Sequence, residues 1–386
     1  MKIGKSSLYW TFYRPLFQLS IKLFQFLPIK KNKVVFIQGD GAGYGCNLKY
    51  IAEEIINQGI NYDMVWLVNN TKLPMPSAIR KVLFNRIRAV YELSTAHIVI
   101  NNFKSRIYVN KKPSQFFIYI PHGQSGAKRT EAHSSVLPES YKRVSKAHSK
   151  MMDAFVTTSD YQTEDVRKYY WCSCEVWQLG FPRNDLFFQN NPDKQTSIKK
   201  QLNISVDKKL LFYTPTFRDN GDDSAFAINI NQTLETLEKH FGGNWIAMVT
   251  LHPNFKWYKK PSFEYSERII NVSGYPDMQE LLLISDVLIT DYSSTMMDFC
   301  LTRKPVFRFA TDVDKYIGMR GLKDLYFRMP FPLSKSNDEL QKQIALFDMN
   351  KYGQELESFL YEYGSVDDGH AAERFVLKLQ TIEEKK

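Results

Sequence analysis

The sequence predicts an α/β protein made of two successive doubly wound domains. Three observations support this class. Short apolar runs alternate with helical patterns along most of the chain, which is typical of βαβ units with parallel strands. This alternation stops once, in a polar, lysine-rich stretch at 189–209, and then begins again. The length of 386 residues also exceeds what one ordinary core supports and fits two domains.

The composition is that of a folded, basic protein. Hydrophobic residues make up 44% and charged residues 24%, so disordered and fibrous classes are excluded. The formal charge of +10 favours an anionic partner, which would be a phosphate-rich substrate, a membrane surface or nucleic acid. The 4 cysteines match neither a zinc site nor a CxxC redox pair, and we expect reduced thiols in a cytosolic protein.

Residues 1–33 are predicted to form an amphipathic, basic segment that associates with a membrane. Charged residues interrupt it before an uncharged run of about 18 residues can form, so no spanning helix is expected. Apolar residues recur at loose helical spacing between Leu16 and Leu27. Nearby positive charge comes from Lys22, Lys30, Lys31 and Lys33. The alternative is a helix that packs on its own domain.

The first doubly wound domain is predicted at 34–190. A helix is expected from about Leu48 to Gln58, between the first two strands. The strands are expected at five apolar runs: 34–38, 63–68, 97–102, 116–120 and 154–158.

The second domain is predicted at 210–360, after a linker at 191–209 that contains a short helix and before a C-terminal helix at 361–386. Its strands are expected at 210–215, 245–251, 268–273, 287–290 and 305–310, and its helices near 231–241, 277–285 and 295–303. Doubly wound domains bind ligands beyond the carboxyl ends of their strands, so a ligand is expected in the crevice between the two domains.

The stretch "SDVLITDYSSTMMDF" at 285–299 places small hydroxyls where a buried strand turns into a helix. Ser293 or Ser294 stands at the N-cap position. The first turn of a helix has unpaired N–H groups and partial positive charge, so hydroxyls there suit a phosphate. The other interpretation is an ordinary serine N-cap, and this stretch alone leaves both open.

Other polar residues also follow predicted strands. His122 and Gly123 come after the strand at 116–120, Arg218 after 210–215, and His252 after 245–251. A solitary histidine is usually a structural residue whose ring nitrogens are hydrogen-bonded within the protein, and not a catalytic or binding residue. Two histidines at strand ends, one in each domain, with an arginine in the same register, weaken that interpretation.

The loop "GDGAGYGCN" at 39–47 is glycine-rich, but its spacing does not fit GxGxxG, and a dinucleotide site is therefore improbable. Either the backbone approaches a ligand closely there or the loop is a simple tight turn. Asp277 precedes a predicted helix, and helix capping explains it without any ligand.

Taken together, these residues resemble the CDP-glycerol glycerophosphotransferases, which include teichoic acid primases and polymerases and related capsule enzymes. The resemblance runs from about Val34 to the "DDGHAAERF" at 367–375. Its strongest segments are "SDVLITDYSSTMMDF", "GFPRND", "YTPTFRD" and "LHPN". It implies a GT-B fold, in which a Rossmann-like acceptor domain faces a Rossmann-like domain that binds the CDP-polyol donor.

The resemblance implies that glycerol phosphate passes from CDP-glycerol to a hydroxyl of a lipid-linked saccharide or polyol-phosphate acceptor, with release of CMP. His122, in its pair with Gly123, would be the general base. The donor pyrophosphate would be held by Arg218, His252, Ser293, Ser294, Arg320 and Asp291. Of these, Asp291 is expected to orient its loop or to accept a hydrogen bond from a hydroxyl, and not to touch phosphate, because two anions close together repel. The nucleotide would contact Pro215, Thr216 and Glu280, and the acceptor side would include Asn47, Lys49, Arg183 and Asp185.

This chemistry rests on positioning and on neutralising negative charge. Imidazole, with an ordinary pKa of about 6.5, suits the base, and arginine with helix N–H groups can cradle phosphate, so no metal or other cofactor is expected. The sequence departs from the family pattern at "QSGAK", where Lys128 is displaced by one position, and at "GLKDLYFRMPFP" after Gly321. Because of these departures, we expect that the choice of acceptor or the identity of the transferred polyol differs from the family pattern.

Alternatives remain open at this point. CDP-ribitol would serve the same site, and a GT-B glycosyltransferase would use the same histidine as base. A non-catalytic scaffold on nucleic acid ranks last, because the notable basic residues stand singly at strand ends and are not clustered. The sequence does not separate a single-addition primase from a chain-extending polymerase. The expected location is the cytoplasmic face of the plasma membrane.

Overall fold

The computed structural model describes residues 16–17, 19–84, 86–104, 110–124, 126–218, 223–251, 263–319 and 321–384. These residues form two parallel β-sheets, each covered by helices on both faces, and the predicted α/β class is confirmed.

The first sheet has seven parallel strands in the order β3-β2-β1-β4-β5-β6-β7. The strands are β1 (Lys30–Ile37), β2 (Asp63–Val68), β3 (Ile79–Leu83), β4 (Ala96–Asn101), β5 (Phe116–Tyr119), β6 (Ala154–Thr157) and β7 (Glu175–Gln178). The helices of this half are α1 (Cys46–Asn57), α2 (Ile87–Thr95), α3 (Glu139–Ser149) and α4 (Asp160–Tyr169).

The second sheet has six parallel strands in the order β10-β9-β8-β11-β12-β13. The strands are β8 (Lys209–Tyr213), β9 (Trp245–Val249), β10 (Ile269–Asn271), β11 (Val287–Thr290), β12 (Val306–Phe309) and β13 (Leu333–Ser334). The helices after the first sheet in chain order are α5 (Pro192–Gln201), α6 (Ile230–Phe241), α7 (Met278–Ile284), α8 (Thr295–Phe299), α9 (Val313–Met319), α10 (Asp324–Arg328), α11 (Asn337–Ala345), α12 (Met349–Tyr363) and α13 (Ala371–Glu384).

Continuous apolar runs made the central strands predictable. The last five residues of β1 are all buried, and its side chains alternate between two core clusters on opposite faces of the sheet. Each of the ten expected strands is present. The missed strands lie at sheet edges: β3 has exposed residues in alternation, β7 is mostly half-buried, and β13 has two residues. Edge strands lack the fully apolar pattern of buried parallel strands.

The C-terminal segment expected as one helix at 361–386 is divided. Helix α12 ends at Tyr363, because Gly364 takes a left-handed conformation with φ of 64°. The chain then returns to the first domain, where Phe375 and Leu379 of α13 join the core cluster of the first sheet. The last helix therefore belongs to the first domain in space, although it follows the second in sequence.

Residues 19–24 form a helix whose two faces differ, and residues 1–15 and 18 of the predicted membrane segment lie outside the described residues. One face packs on the first domain through Phe17, Ile21 and Phe24. The other face exposes Leu19 and Leu23, at 52% and 56%. The helix therefore packs on its own domain through one face, and contact of the other face with a membrane stays a prediction.

Of the four lysines expected to supply charge near this helix, Lys33 does not. It is fully buried in β1, where its ammonium group lies 2.6 Å from Glu92 of α2. Lys22, Lys30 and Lys31 are exposed. None of the helices in the described part of the chain has the length and apolar character needed to cross a bilayer.

Candidate active site

A cavity of about 680 Å³ lies between the two domains. In each sheet the strand order reverses direction beside the first strand, at β1/β4 and at β8/β11, and such switch points open the crevice in which doubly wound folds bind ligands. The cavity brings together six of the residues predicted from the sequence: His122, Arg183, Pro215, Thr216, Ser293 and Ser294.

His122 follows β5 and opens onto this cavity. Its ring is oriented by a hydrogen bond to the backbone carbonyl of Asn102, which follows β4. Asn102 is itself held by the glycine-rich loop, since its Oδ1 accepts a hydrogen bond from the Gly39 N–H at 3.0 Å. This loop therefore supports the histidine indirectly, through Asn102.

The pKa of His122 lies below the usual histidine value of 6.5. His122 is exposed to the cavity, but the protein atoms packed around its ring partly desolvate it, and this desolvation is the main cause; the positive charges of Arg183 and Lys128 add to it. A neutral imidazole at neutral pH has a free lone pair, which is the form a general base requires.

Gly123 allows the two domains to meet beside His122. A Cβ atom at this position would lie 2.5 Å from the Ser294 Oγ of the second domain, and 3.4 Å from its Cβ. A side chain at this position would force the Ser294 hydroxyl to move. The glycine thus leaves room for a close approach between the loop that carries His122 and Gly123, here called the histidine loop, and the turn at Ser293 and Ser294, here called the serine turn.

The serine turn lies between β11 and α8, as predicted. Ser294 occupies the N-cap position, but its side chain does not accept a capping hydrogen bond from the described helix. Ser293 instead accepts a hydrogen bond from the Thr295 N–H at 3.3 Å, and its hydroxyl pairs with that of Thr295 at 2.8 Å. The Ser294 hydroxyl faces the cavity and Gly123.

Arg218 belongs to the second domain and does not line the cavity. Its guanidinium is 2.8 Å from Asp291 and 2.6 Å from Asp312. Asp291 also accepts hydrogen bonds from the Thr216 N–H at 2.9 and 3.0 Å. Arg218 and Asp291 therefore fix the loop after β8 against the loop after β11, as expected for an aspartate that orients its loop.

Arg183 connects the histidine loop to the second domain. Its guanidinium donates to the backbone carbonyl of His122 and to Asp298 of α8, the latter at 2.6 Å. Asp298 also accepts from Gln124 at 3.1 Å. Arg183, which was expected on the acceptor side, thus links the backbone of the histidine loop to Asp298, in the helix that follows the serine turn.

The remaining acceptor-side candidates lie at other contacts within the first domain or between the domains. The Asn47 amide donates to the Pro121 carbonyl at 3.0 Å and accepts from the Arg183 N–H. Lys49 pairs with Asp277 at 2.6 Å. Asp185 caps α13 by accepting from the N–H groups of residues 371 and 372. Contact of these residues with an acceptor stays a prediction.

Glu280 also lies at the domain boundary. It accepts a hydrogen bond from the Tyr275 hydroxyl at 2.7 Å and lies 3.5 Å from Lys49 and from Lys194. Its proposed contact with a ribose is untested. Asp277 accepts from the Gln279 N–H at 3.0 Å, which confirms the expected helix cap. His252 and Arg320 lie outside the described residues.

Two residues of the site escaped the sequence analysis. Asn102 ends the run "HIVINN", and its position at a strand end was the available signal. Asp298 lies inside the quoted serine motif, but nothing local reveals that its partner is 115 residues away in sequence. Among the described residues, no group of three or more His, Cys, Asp or Glu side chains is arranged to hold a metal ion.

Comparison with known proteins shows which family this chain matches. Residues 19–380 match the family described as CDP-Glycerol:Poly(glycerophosphate) glycerophosphotransferase. A teichoic acid poly(glycerol phosphate) polymerase of Staphylococcus epidermidis is 30% identical over 361 residues, which cover 89% of this chain and 50% of that protein. A teichoic acid poly(ribitol-phosphate) polymerase of Bacillus spizizenii is 30% identical over 94% of this chain and 58% of its own length.

A solved structure extends the similarity to three dimensions. A variant of the wall teichoic acid polymerase TagF, soaked with CDPG, superimposes with a TM-score of 0.85 and 28% identity over 98% of this chain and 97% of that chain. The GT-B-like arrangement is thereby confirmed. The chain spans about half the length of the two curated polymerases named above.

Proposed function

Because this chain belongs to the CDP-glycerol:poly(glycerophosphate) glycerophosphotransferase family, we propose that it transfers glycerol phosphate from CDP-glycerol to a hydroxyl of a lipid-linked or polymeric acceptor and releases CMP. The observation that carries the proposal is the meeting of His122 and Ser294 across one cavity. Residues of the first domain thus adjoin a hydroxyl-rich turn of the second, at the place where an acceptor and a donor phosphate would meet.

The proposed reaction is an in-line displacement at phosphorus. An acceptor hydroxyl forms a P–O bond with the glycerol-bearing phosphorus while the P–O bond to CMP breaks. His122 takes the hydroxyl proton. Its lowered pKa keeps the imidazole neutral before the reaction, and its hydrogen bond to the Asn102 carbonyl favours the protonated form that results. Ser293 and Ser294 hold the donor phosphates, and little beyond positioning and charge stabilisation is then required.

The donor polyol is a finer part of this proposal. Glycerol is favoured because the matching family is described by glycerol phosphate transfer. The similarity to a poly(ribitol-phosphate) polymerase keeps CDP-ribitol as the second candidate.

The location is also part of the proposal: the protein lies on the cytoplasmic face of the plasma membrane. The exposed face of the helix at 19–24 supports it, since Leu19 and Leu23 point away from the protein beside the exposed Lys22. Apolar residues flanked by basic ones suit an interface of anionic lipid.

The decisive experiment incubates the protein with CDP-glycerol or CDP-ribitol and lipid-linked acceptors of increasing length, followed by mass spectrometry. We expect CMP and a new phosphodiester, with the product mass identifying the polyol. A nucleoside diphosphate with a new glycosidic bond, obtained from nucleotide sugars in parallel, would instead establish a glycosyltransferase.

Substitutions test the two sides of the cavity separately. His122→Ala should abolish transfer and leave CDP-glycerol binding nearly intact, whereas Ser293→Ala combined with Ser294→Ala should raise the donor KM or remove activity. His370→Ala is the matched control, because this histidine is exposed and its ring pairs only with Glu373 among the described residues. Near-normal kcat in His122→Ala would refute the assignment of the base.

A further inference from the structure

A second cavity, of about 290 Å³, adjoins the first on the side of the first domain. The two cavities share His122, Lys128 and Ser294 in their linings. The histidine therefore stands at the junction between them. A group in the second cavity could present a hydroxyl to the imidazole from the side opposite to the donor.

Aromatic side chains form much of the wall of this second cavity. The described lining includes the rings of Phe103, Tyr119, Tyr141 and Tyr170. Phe103 is 46% exposed and Tyr141 is 40% exposed, so both rings are accessible. Phe103 also lies against His122, with 5.8 Å between the ring centroids. Aromatic faces in a pocket favour the C–H faces of a neutral ligand.

Within the described lining of the second cavity, a lysine and a glutamate form a buried ion pair. The Lys104 ammonium lies 2.9 Å from Glu131, and both side chains are buried. Glu131 also accepts hydrogen bonds from the hydroxyls of Tyr141 at 2.8 Å and Ser145 at 2.6 Å. The lysine charge is thus matched within the protein, and the interior offers polar atoms without excess positive charge.

Lys128 lines both cavities at the junction. A phosphate is disfavoured deeper in the second cavity, because the Lys104 charge there is already matched by Glu131. Glu131 adopts a φ of 52°, which is uncommon for a residue other than glycine.

We propose that this second cavity, which we call the acceptor pocket, binds the neutral, polyhydroxylated end group of the acceptor and presents its hydroxyl to His122. The inference rests on the proposed function and deepens it. A cavity of 290 Å³ is at the small end of the range for ligand pockets, so it fits one end group and no polymer segment. That end group is a glycerol unit or a sugar ring, which share this chemistry.

The first test measures acceptor and donor KM in Tyr141→Ala and Tyr141→Phe, with short soluble acceptors that end in glycerol or in a sugar. Tyr141→Ala removes the wall and should raise the acceptor KM about tenfold or more, with the donor KM unchanged. Tyr141→Phe keeps the ring and should have the smaller effect. Tyr361→Ala is the control, because this tyrosine is 88% exposed on α12. Phe103→Ala gives an independent variant if Tyr141→Ala does not fold.

The second test uses acceptor analogues that cannot react. An analogue whose terminal hydroxyl is replaced by hydrogen should compete with the acceptor, and one that ends in a phosphate monoester should compete at least tenfold more weakly. The better of the glycerol-ended and sugar-ended analogues identifies the end group. Stronger competition by the phosphate-ended analogue would overturn the inference, as would an unchanged acceptor KM in both Tyr141→Ala and Phe103→Ala.

Failure of the proposed function would look different. In that case the unsubstituted protein would release no CMP from CDP-glycerol or CDP-ribitol with any acceptor. An active protein with unaffected pocket variants contradicts only the acceptor pocket.

Discussion

His122 depends on neighbours that exchange neither protons nor phosphate. Asn102 accepts a hydrogen bond from its ring, Arg183 binds its backbone carbonyl, and Gly123 leaves space for Ser294. These residues belong to four loops. His122 and Gly123 follow β5, Asn102 follows β4, Arg183 follows β7, and Ser294 follows β11. The reactivity of one imidazole is therefore a property of four loops together.

The lowered pKa of His122 predicts the pH dependence of the reaction. The proposed base works when neutral, so kcat/KM should fall as the pH decreases through its pKa, and the midpoint of this acidic limb should lie below 6.5. Lys128→Gln removes a positive charge that lowers the pKa, and it should move the midpoint to higher pH. The measurement is kcat/KM for the acceptor from pH 4.5 to 8. A midpoint above 6.5 in the unsubstituted protein would contradict this prediction.

The helix at 19–24 has one packed face and one exposed face. Its inner face is held by Phe17 and Phe24 in the core, and the Lys112 ammonium donates to the Leu27 carbonyl at 2.6 Å just after the helix. Its outer leucines are therefore presented in a fixed orientation. A fixed apolar face costs less ordering on binding to a membrane than a free peptide would.

Replacing both outer leucines tests this helix. Leu19→Asp combined with Leu23→Asp should weaken binding to anionic vesicles by roughly tenfold or more, because burial of one leucine is worth about 1.5–3 kcal/mol. The fold should be retained, since both side chains are more than half exposed. Leu346→Asp, at a leucine that is 72% exposed in the second domain, is the control. Vesicle sedimentation measures the binding, and equal binding of all variants would exclude this helix as the contact.

The comparison of sequence with structure separates local from distant signals. Buried parallel strands such as "VLIT" were predictable, because a continuous apolar run followed by polar residues is a local pattern. The serine turn and His122 were found for the same reason. The roles of Arg183 and Lys49 were not, because their partners Asp298 and Asp277 are 115 and 228 residues away in sequence. Such pairs exist only after both domains have folded and met.

The two domains are joined at several points around the cavity. Arg183 pairs with Asp298, and Lys323 of the second domain pairs with Asp165 of the first at 2.7 Å. The backbone adds to these contacts, since the Lys323 N–H donates to the Ala127 carbonyl at 2.8 Å. These contacts surround the histidine loop, so the relative position of the domains and the geometry of the site change together.

Asp367 lies where the chain returns to the first domain, and its titration is expected to make the stability of the fold depend on pH. Its carboxylate accepts a hydrogen bond from the Phe181 N–H at 2.8 Å, and its Oδ2 is shielded from solvent without a hydrogen-bond partner among the described residues. Desolvation raises its pKa to about 7, from 3.8. The folded protein thus keeps a proton that the unfolded chain has already lost. Stability should fall as the pH rises from 3.8 towards 7, by at most about 1.4 kcal/mol per pH unit.

Asp367→Asn removes this titration and should therefore stabilise the protein increasingly at higher pH. We expect its free energy of unfolding to exceed that of the unsubstituted protein by about 1 kcal/mol or more at pH 7.5, and by less at pH 4.5. Asp368→Asn is the matched control with the opposite sign. Partial desolvation of Asp368 is outweighed by its hydrogen bonds with Arg374 and the His370 N–H together with the Arg374 charge, which lower its pKa, so its removal should not stabilise the protein. Urea unfolding at both pH values gives the difference. If Asp367→Asn raised the free energy of unfolding equally at both pH values, the titration of Asp367 would not be the cause, and the prediction would be wrong.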